Sequence, residues 1–184
     1  MEKRACFIGH RKIEQSVDLI NRLTCEIRRL ITEESVAFFL FGSGSDFDSL
    51  CHSIVTSLQT EFPNIRRVAY TCKHELACMK EDKEEMERRW SHFLNEEVHI
   101  KDYDAEYSHP TKYTAGRGNY VERNMAMIDD SDFCMFYYDK NYLPLRRKNS
   151  PGDLSDYQPK SGTKIAYDYA VQKNKTIINV VDML

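Results

Sequence analysis

The chain has 184 residues, enough for one domain with a real core. With 41% hydrophobic and 30% charged residues it reads as a folded globular protein, and 11 Tyr argue against wholesale disorder. A net charge of −3 removes any global electrostatic reason to expect nucleic acid or an anionic membrane as partner, so a basic surface would have to be local.

The start, Met1-Glu-Lys-Arg-Ala-Cys-Phe-Ile-Gly, is basic, but its apolar run ends at Gly9-His10-Arg11-Lys12, far short of a signal peptide. No apolar stretch approaches the roughly 20 residues of a membrane span. Six Cys, at positions 6, 25, 51, 72, 78 and 134, lie scattered among apolar positions without paired spacings, as reduced packing residues do. A cytoplasmic protein with no membrane partner is the expectation.

Along the chain, Ala5 to Ile8 has a buried-strand pattern ending at Gly9, and Ile13 to Ile31 then sets Val17, Ile20, Leu23, Ile27 and Leu30 at helical spacing. Ser35 to Phe41 predicts a second strand, closed by Gly42-Ser-Gly-Ser45, and Asp46 to Phe62 a second helix with Phe47, Leu50, Ile54 and Leu58 on one face. Further strands are predicted at Ile65–Tyr70, Phe133–Tyr138 and Thr176–Val181. Strands that are apolar throughout and alternate with helices predict a single Rossmann-like α/β domain, three-layered, with a mostly parallel sheet and helices on both faces.

Two regions interrupt the rhythm. Glu81 to Glu97 is densely charged, with Met86, Trp90, Phe93 and Leu94 at helical spacing, and predicts a charged helical insertion near residues 80–97, followed by Val98-His-Ile100. Asp139 to Lys160 is a polar loop with three Pro and the basic run Arg146-Arg147-Lys148; loops of that length tend to bind or to cover a site.

Ligands of open α/β sheets bind beyond the carboxyl ends of the strands. Residues suited to an anion stand at four such places: Gly9-His10-Arg11, Gly42-Ser43 with Asp46 and Asp48, Arg123-Asn124, and Ser161-Gly162-Thr163 before the apolar-periodic Ile165 to Ala170. Small and hydroxyl residues at a helix start leave N–H groups and the positive dipole end facing a phosphate. Arg11 and Arg123 offer guanidinium forks, and His10 a donor or proton carrier. Each also has a plainer role: Gly9 and Gly42 as strand ends, Ser45 or Asp46 and Ser161 as helix caps, Arg123 in a salt bridge, His10-Arg11 as an exposed turn. Cys72, His74 and Cys78 match no standard zinc spacing, so no metal is expected. The chain lacks Gly-x-Gly-x-x-Gly, a Gly-Lys-Ser/Thr phosphate loop and Gly-x-Ser-x-Gly; no cofactor is expected.

Phe7-Ile-Gly-His-Arg11 resembles the Phe-Thr-Gly-His-Arg opening of the small bacterial YpsA-like proteins of the SLOG superfamily, named for SMF/DprA and LOG. Tyr120-Val-Glu-Arg-Asn-Met-Ala-Met-Ile-Asp-Asp-Ser-Asp132, the strand after it and Ser161-Gly162-Thr163 resemble that superfamily's second half. The likeness is to the Gly-His-Arg-type proteins of Firmicutes and their mobile elements. It implies a Rossmann-like sheet that binds a nucleotide or nucleotide derivative, as a sensor or sequestering protein, and a homo-oligomer.

The superfamily's phosphoribohydrolases cut N-glycosidic bonds with an Arg of a Glu-Arg-Lys motif and a Glu three residues after the Thr of a Gly-rich loop. Glu122-Arg123 matches the first, but Ala166 stands where the second would be. A nucleotide N-glycosidase is therefore the alternative, with Arg123, Glu122 and Asp46 as catalytic candidates and Asp48 or Asp168 as further acids. DprA-like nucleic-acid binding through Arg146 to Lys148 is a second alternative.

Overall fold

The computed structural model describes residues 2–42, 45–72, 103–109, 117–143 and 160–183. Among them are strands β1 (Lys3–Gly9), β2 (Val36–Phe41), β3 (Arg66–Cys72), β4 (Ala105–His109), β5 (Phe133–Tyr137) and β6 (Thr176–Asn179). Helices are α1 (Val17–Thr32), α2 (Asp46–Leu58), α3 (Arg117–Asp129) and α4 (Gly162–Gln172), and a short 3₁₀ turn covers Val180–Met183. The strands form one sheet in the order β4-β3-β2-β1-β5-β6. Every neighbouring pair is parallel, with Cys6 opposite Leu40 on one side of β1 and Cys134 on the other.

The period of two along β1 sorts its side chains between two cores. Ala5 and Phe7 join the α1 and α2 side, with Leu23, Ile27, Leu30, Phe39, Phe41 and Phe47. Cys6 and Ile8 join the α3 and α4 side, with Met127, Ile128, Phe136, Ala166 and Ala170. Phe7 stacks on Phe39 and Phe41 at 5.9 and 5.0 Å. Burying each such side chain contributes about 1.5–3 kcal/mol, which is what holds three layers together.

The topology follows from crossover handedness. The chain steps outward from β1 to β4 and then returns to place β5 beside β1 before stepping outward again to β6. Right-handed connections that progress in opposite directions lay their helices on opposite faces, so α1 and α2 cover one side and α3 and α4 the other. The direction reverses between β1 and β5, and the carboxyl ends of those two strands flank the switch point where such sheets hold ligands.

Several boundaries differ from expectation for local reasons. Helix α1 begins at Val17 because the Ser16 side chain accepts from Leu19 N–H. Helix α2 ends at Leu58, after which bonds from Thr60 to Ser57 and Ile65 to Phe62 close tighter turns. Strand β6 stops at Asn179, whose side chain turns onto the Tyr138 backbone, accepting from Tyr138 N–H and donating to Tyr138 C=O, both at 3.0 Å. Strand β4 was not foreseen. Its sequence, Ala-Glu-Tyr-Ser-His, lacks the apolar run of the central strands, as suits a strand with one sheet partner among the described residues, β3. The charged segment 80–97, Val98–Ile100 and most of the 139–160 loop lie outside the described residues.

Helix α3 is pinned at its lower end. Lys175 Nζ donates to the carbonyls of Asp129 and Ser131 at 2.8 Å, and Tyr70 donates its hydroxyl to Asp130 at 2.7 Å. The first of these bonds satisfies the last carbonyl of the helix, and the carbonyls before it accept from Asp130 N–H and from the hydroxyl and N–H of Ser131.

Candidate functional site

The carboxyl edge gathers residues from five segments. At the end of β1, a Cβ on Gly9 would stand 2.5 Å from Cβ, Cγ and Cδ1 of Phe47. No side chain fits there, so Gly9 is the residue that lets the first turn of α2 close over the end of β1. The same junction is tied by Asp46 N–H, which donates to the Arg11 carbonyl at 2.9 Å. Ser45, not Asp46, is the cap of α2, its hydroxyl accepting from Asp48 N–H. The Asp46 carboxylate instead meets exposed Lys12 at 3.2 Å.

At the end of β2, a Cβ on Gly42 would lie 2.9 Å from Nη2, 3.1 Å from Cζ and 3.2 Å from Nε of Arg123. The guanidinium therefore rests against bare backbone. Arg123 is 4% exposed, with its Cζ 5.2 Å from the Tyr120 ring centre and Nη2 3.4 Å from Asn124 Oδ1. Along α3 the buried stripe runs Met127, Arg123, Asn119, in steps of four. It turns from apolar to polar as the helix nears the carboxyl edge. Asn119, fully buried, was missed from the sequence, although its spacing from Arg123 places both on one face. Glu122 is only half-buried and points away by one helical step, so the Glu122-Arg123 pair does not share a face.

At the switch point itself sits His10, 3% exposed. Asp139 N–H donates to its Nε2 at 3.1 Å, joining the residue after β1 to the segment after β5. Its ring stacks on Tyr142 at 4.0 Å and 28° and lies 6.2 Å from both Tyr137 and Tyr138. Burial pushes the imidazole pKa below 6.5, against the opposing pull of the Asp139 carboxylate. The plainer alternative, an exposed turn, does not hold for His10, which is packed, while Arg11 is exposed.

Helix α4 begins at the same edge. Ser161 caps it, its hydroxyl accepting from Lys164 N–H at 3.1 Å. Gly162 is exposed with open space where a Cβ would project, and Thr163 is buried. Packing does not demand a glycine at 162. Lys164 reaches the Tyr138 hydroxyl at 3.4 Å and Asp168 at 3.2 Å, and Lys160 also meets Asp168 at 3.0 Å. Burial works against the Asp168 carboxylate, but the two lysines hold its pKa below the usual range. A Lys in the first turn opposes the helix dipole, so α4 presents positive charge at its start.

Ser43 lies outside the described residues, as do His74, Cys78 and Arg146 to Lys148. Among the described residues no group of three or more His, Cys, Asp or Glu could hold a metal ion, and no helix is long and apolar enough to cross a membrane. Fold and site together define a Rossmann-like α/β protein with buried His and Arg side chains at its switch edge. No family model matches the chain, and no curated protein is significantly similar to it.

Proposed function

We propose that this chain is a SLOG-type protein that binds a nucleotide or nucleotide-derived ligand at the carboxyl edge of its sheet, as a sensor or sequestering protein. The observation that carries the reading is Arg123, a guanidinium at 4% exposure set against the Gly42 backbone beside the switch point. A fork of donors on a fixed charge suits a phosphate, and the start of α4, with Lys164 in its first turn, adds positive potential along the same edge.

Binding is favoured over cleavage by what surrounds the acids. Ala166 is 2% exposed within the core formed with Cys6, Ile8 and Phe136, so the position of the hydrolase glutamate faces packed apolar side chains. Asp46 is engaged by Lys12, and Asp168 by Lys160 and Lys164. N-glycosidic cleavage needs a carboxylate against the developing positive charge. Self-association is part of the proposal through the resemblance alone, and a cytoplasmic location through the scattered, unpaired spacing of the cysteines.

The test is a thermal-shift screen of mono-, di- and cyclic nucleotides, NAD and ADP-ribose, with each sample then separated by chromatography. A stabilising ligand recovered intact supports a binder, and conversion to base and sugar phosphate restores the hydrolase. Absence of stabilisation by every compound overturns the reading.

A further inference from the structure

His10 has an unusual set of partners. Asp139 N–H points into its Nε2 lone pair, so the neutral imidazole must carry its proton on Nδ1. Nδ1 is itself buried and has no hydrogen-bond partner. A buried donor left unsatisfied is destabilising, and native structures rarely keep one without a use. The residue is 3% exposed and stands at the switch point between β1 and β5.

The enclosure is aromatic. Tyr137 packs on Phe47 at 5.8 Å, and Tyr138 packs on Tyr167 at 4.6 Å while its backbone is held by Asn179. Both are braced from behind. Tyr142 is different: it stands on the turn after β5, is 39% exposed, and lies flat on the imidazole. Of the three rings it is the one whose departure disturbs the least packing. A neutral donor among rings suits a flat, uncharged acceptor better than a phosphate, whose desolvation there would be costly.

We propose that His10 reads the base of the bound nucleotide: its Nδ1–H donates, in the plane of the imidazole, to an acceptor atom on the base edge, and Tyr142, the exposed ring of the three, is the one that shifts to let the base reach that edge. This rests on the nucleotide-site reading above and adds which part of the ligand lies where. The phosphate end belongs to Arg123 and the start of α4. His10 is a specificity-determining contact.

The test uses the two amides that mimic the two nitrogens of imidazole. In H10N the side-chain NH₂ stands near the Nδ1 position and can still donate to the base, while the acceptor for Asp139 N–H is lost. In H10Q the amide oxygen can still accept from Asp139, while the donor at the Nδ1 position is lost. Affinity for AMP, ADP-ribose and ribose 5-phosphate is measured by calorimetry on the full chain, with folding checked by circular dichroism. The expected result is a loss of about tenfold for AMP and ADP-ribose in H10Q, a loss under about threefold in H10N, and no change for ribose 5-phosphate in either. Y142A should bind AMP at least as tightly as wild type. Nitrogen-15 histidine spectra of the unliganded chain should show His10 as the Nδ1–H tautomer.

Equal losses in the two variants, or a larger loss in H10N, mean a purely structural histidine and overturn the proposal. An equal loss for ribose 5-phosphate overturns the assignment to the base, weaker AMP binding by Y142A overturns the role of Tyr142, and an Nε2–H tautomer overturns the donor. Failure of wild type to bind all three probes overturns the nucleotide reading itself, a result distinct from binding that ignores His10.

Discussion

Gly42 and Arg123 are in contact at the carboxyl edge: a Cβ at 42 would come within 2.9 Å of the Arg123 Nη2. The crowding atom is the far end of a flexible side chain, so a methyl group there moves the guanidinium rather than the backbone. Gly42→Ala should therefore cost under about 1 kcal/mol of stability yet weaken nucleotide binding by displacing Arg123. Urea denaturation and calorimetric titration of one preparation separate the two effects. A large stability loss with unchanged affinity would contradict this.

Gly9 predicts the opposite balance. Its missing Cβ would stand 2.5 Å from the Phe47 Cβ as well as from its ring, and Phe47 is fully buried at the start of α2. Neither partner can yield without moving a helix. Gly9→Ala should destabilise the fold by about 1–3 kcal/mol or more, as overpacked cores do. A shift in the urea midpoint without a change of slope is the expected readout.

Arg123→Ala should weaken binding of a phosphate-bearing nucleotide by about 1.5–3 kcal/mol, the range for a hydrogen bond to a charged group. Arg123→Lys should recover only part of that, since an ammonium lacks the planar fork. Equal affinity in a folded Arg123→Ala variant would remove Arg123 from the ligand site.

The pH dependence of stability carries a signature of His10. Burial, against the opposing pull of Asp139, holds its folded pKa below 6.5, so below that pH the unfolded chain takes up a proton that the folded one does not. The contribution is complete above 6.5 and is lost as pH falls toward the folded value. Chemical denaturation at several pH values between about 7 and 5 should show a shallower decline in H10N than in wild type.

A second titration lies at the far end of the sheet. Burial works against the Asp104 carboxylate, but the Arg67 guanidinium and N–H and the Gln59 amide lower its pKa from 3.8 to about 2. Being depressed, it stabilises the fold above the unfolded value and ceases to do so as pH falls through about 2. Because the pair is partly solvated, Asp104→Asn should cost on the order of 1 kcal/mol at neutral pH, measured by urea denaturation. Ligand binding should be unaffected, since Asp104 precedes β4 and lies away from the carboxyl edge.

The sequence alone determined the α/β class, because the central strands and the buried faces of the helices are set by local periodicities of 2 and 3.6. The same reasoning placed Gly9 and Gly42 at strand ends and Ser161 at a helix start; the Ser161 cap is a local demand, whereas the contacts that require glycine at 9 and 42 come from Phe47 and Arg123, distant in the chain. It did not find β4, whose polar edge pattern is weak, nor Asn119, Asp139 and Tyr142, which matter only through partners brought up by the fold. That Gly42 meets Arg123, and that His10 meets Asp139, depends on the return of the chain from β4 to a position beside β1. Contacts between residues 81 or 129 positions apart leave no periodicity in the chain. Only the tertiary structure decides them, because the strand order and the handedness of the crossovers bring those segments to one edge.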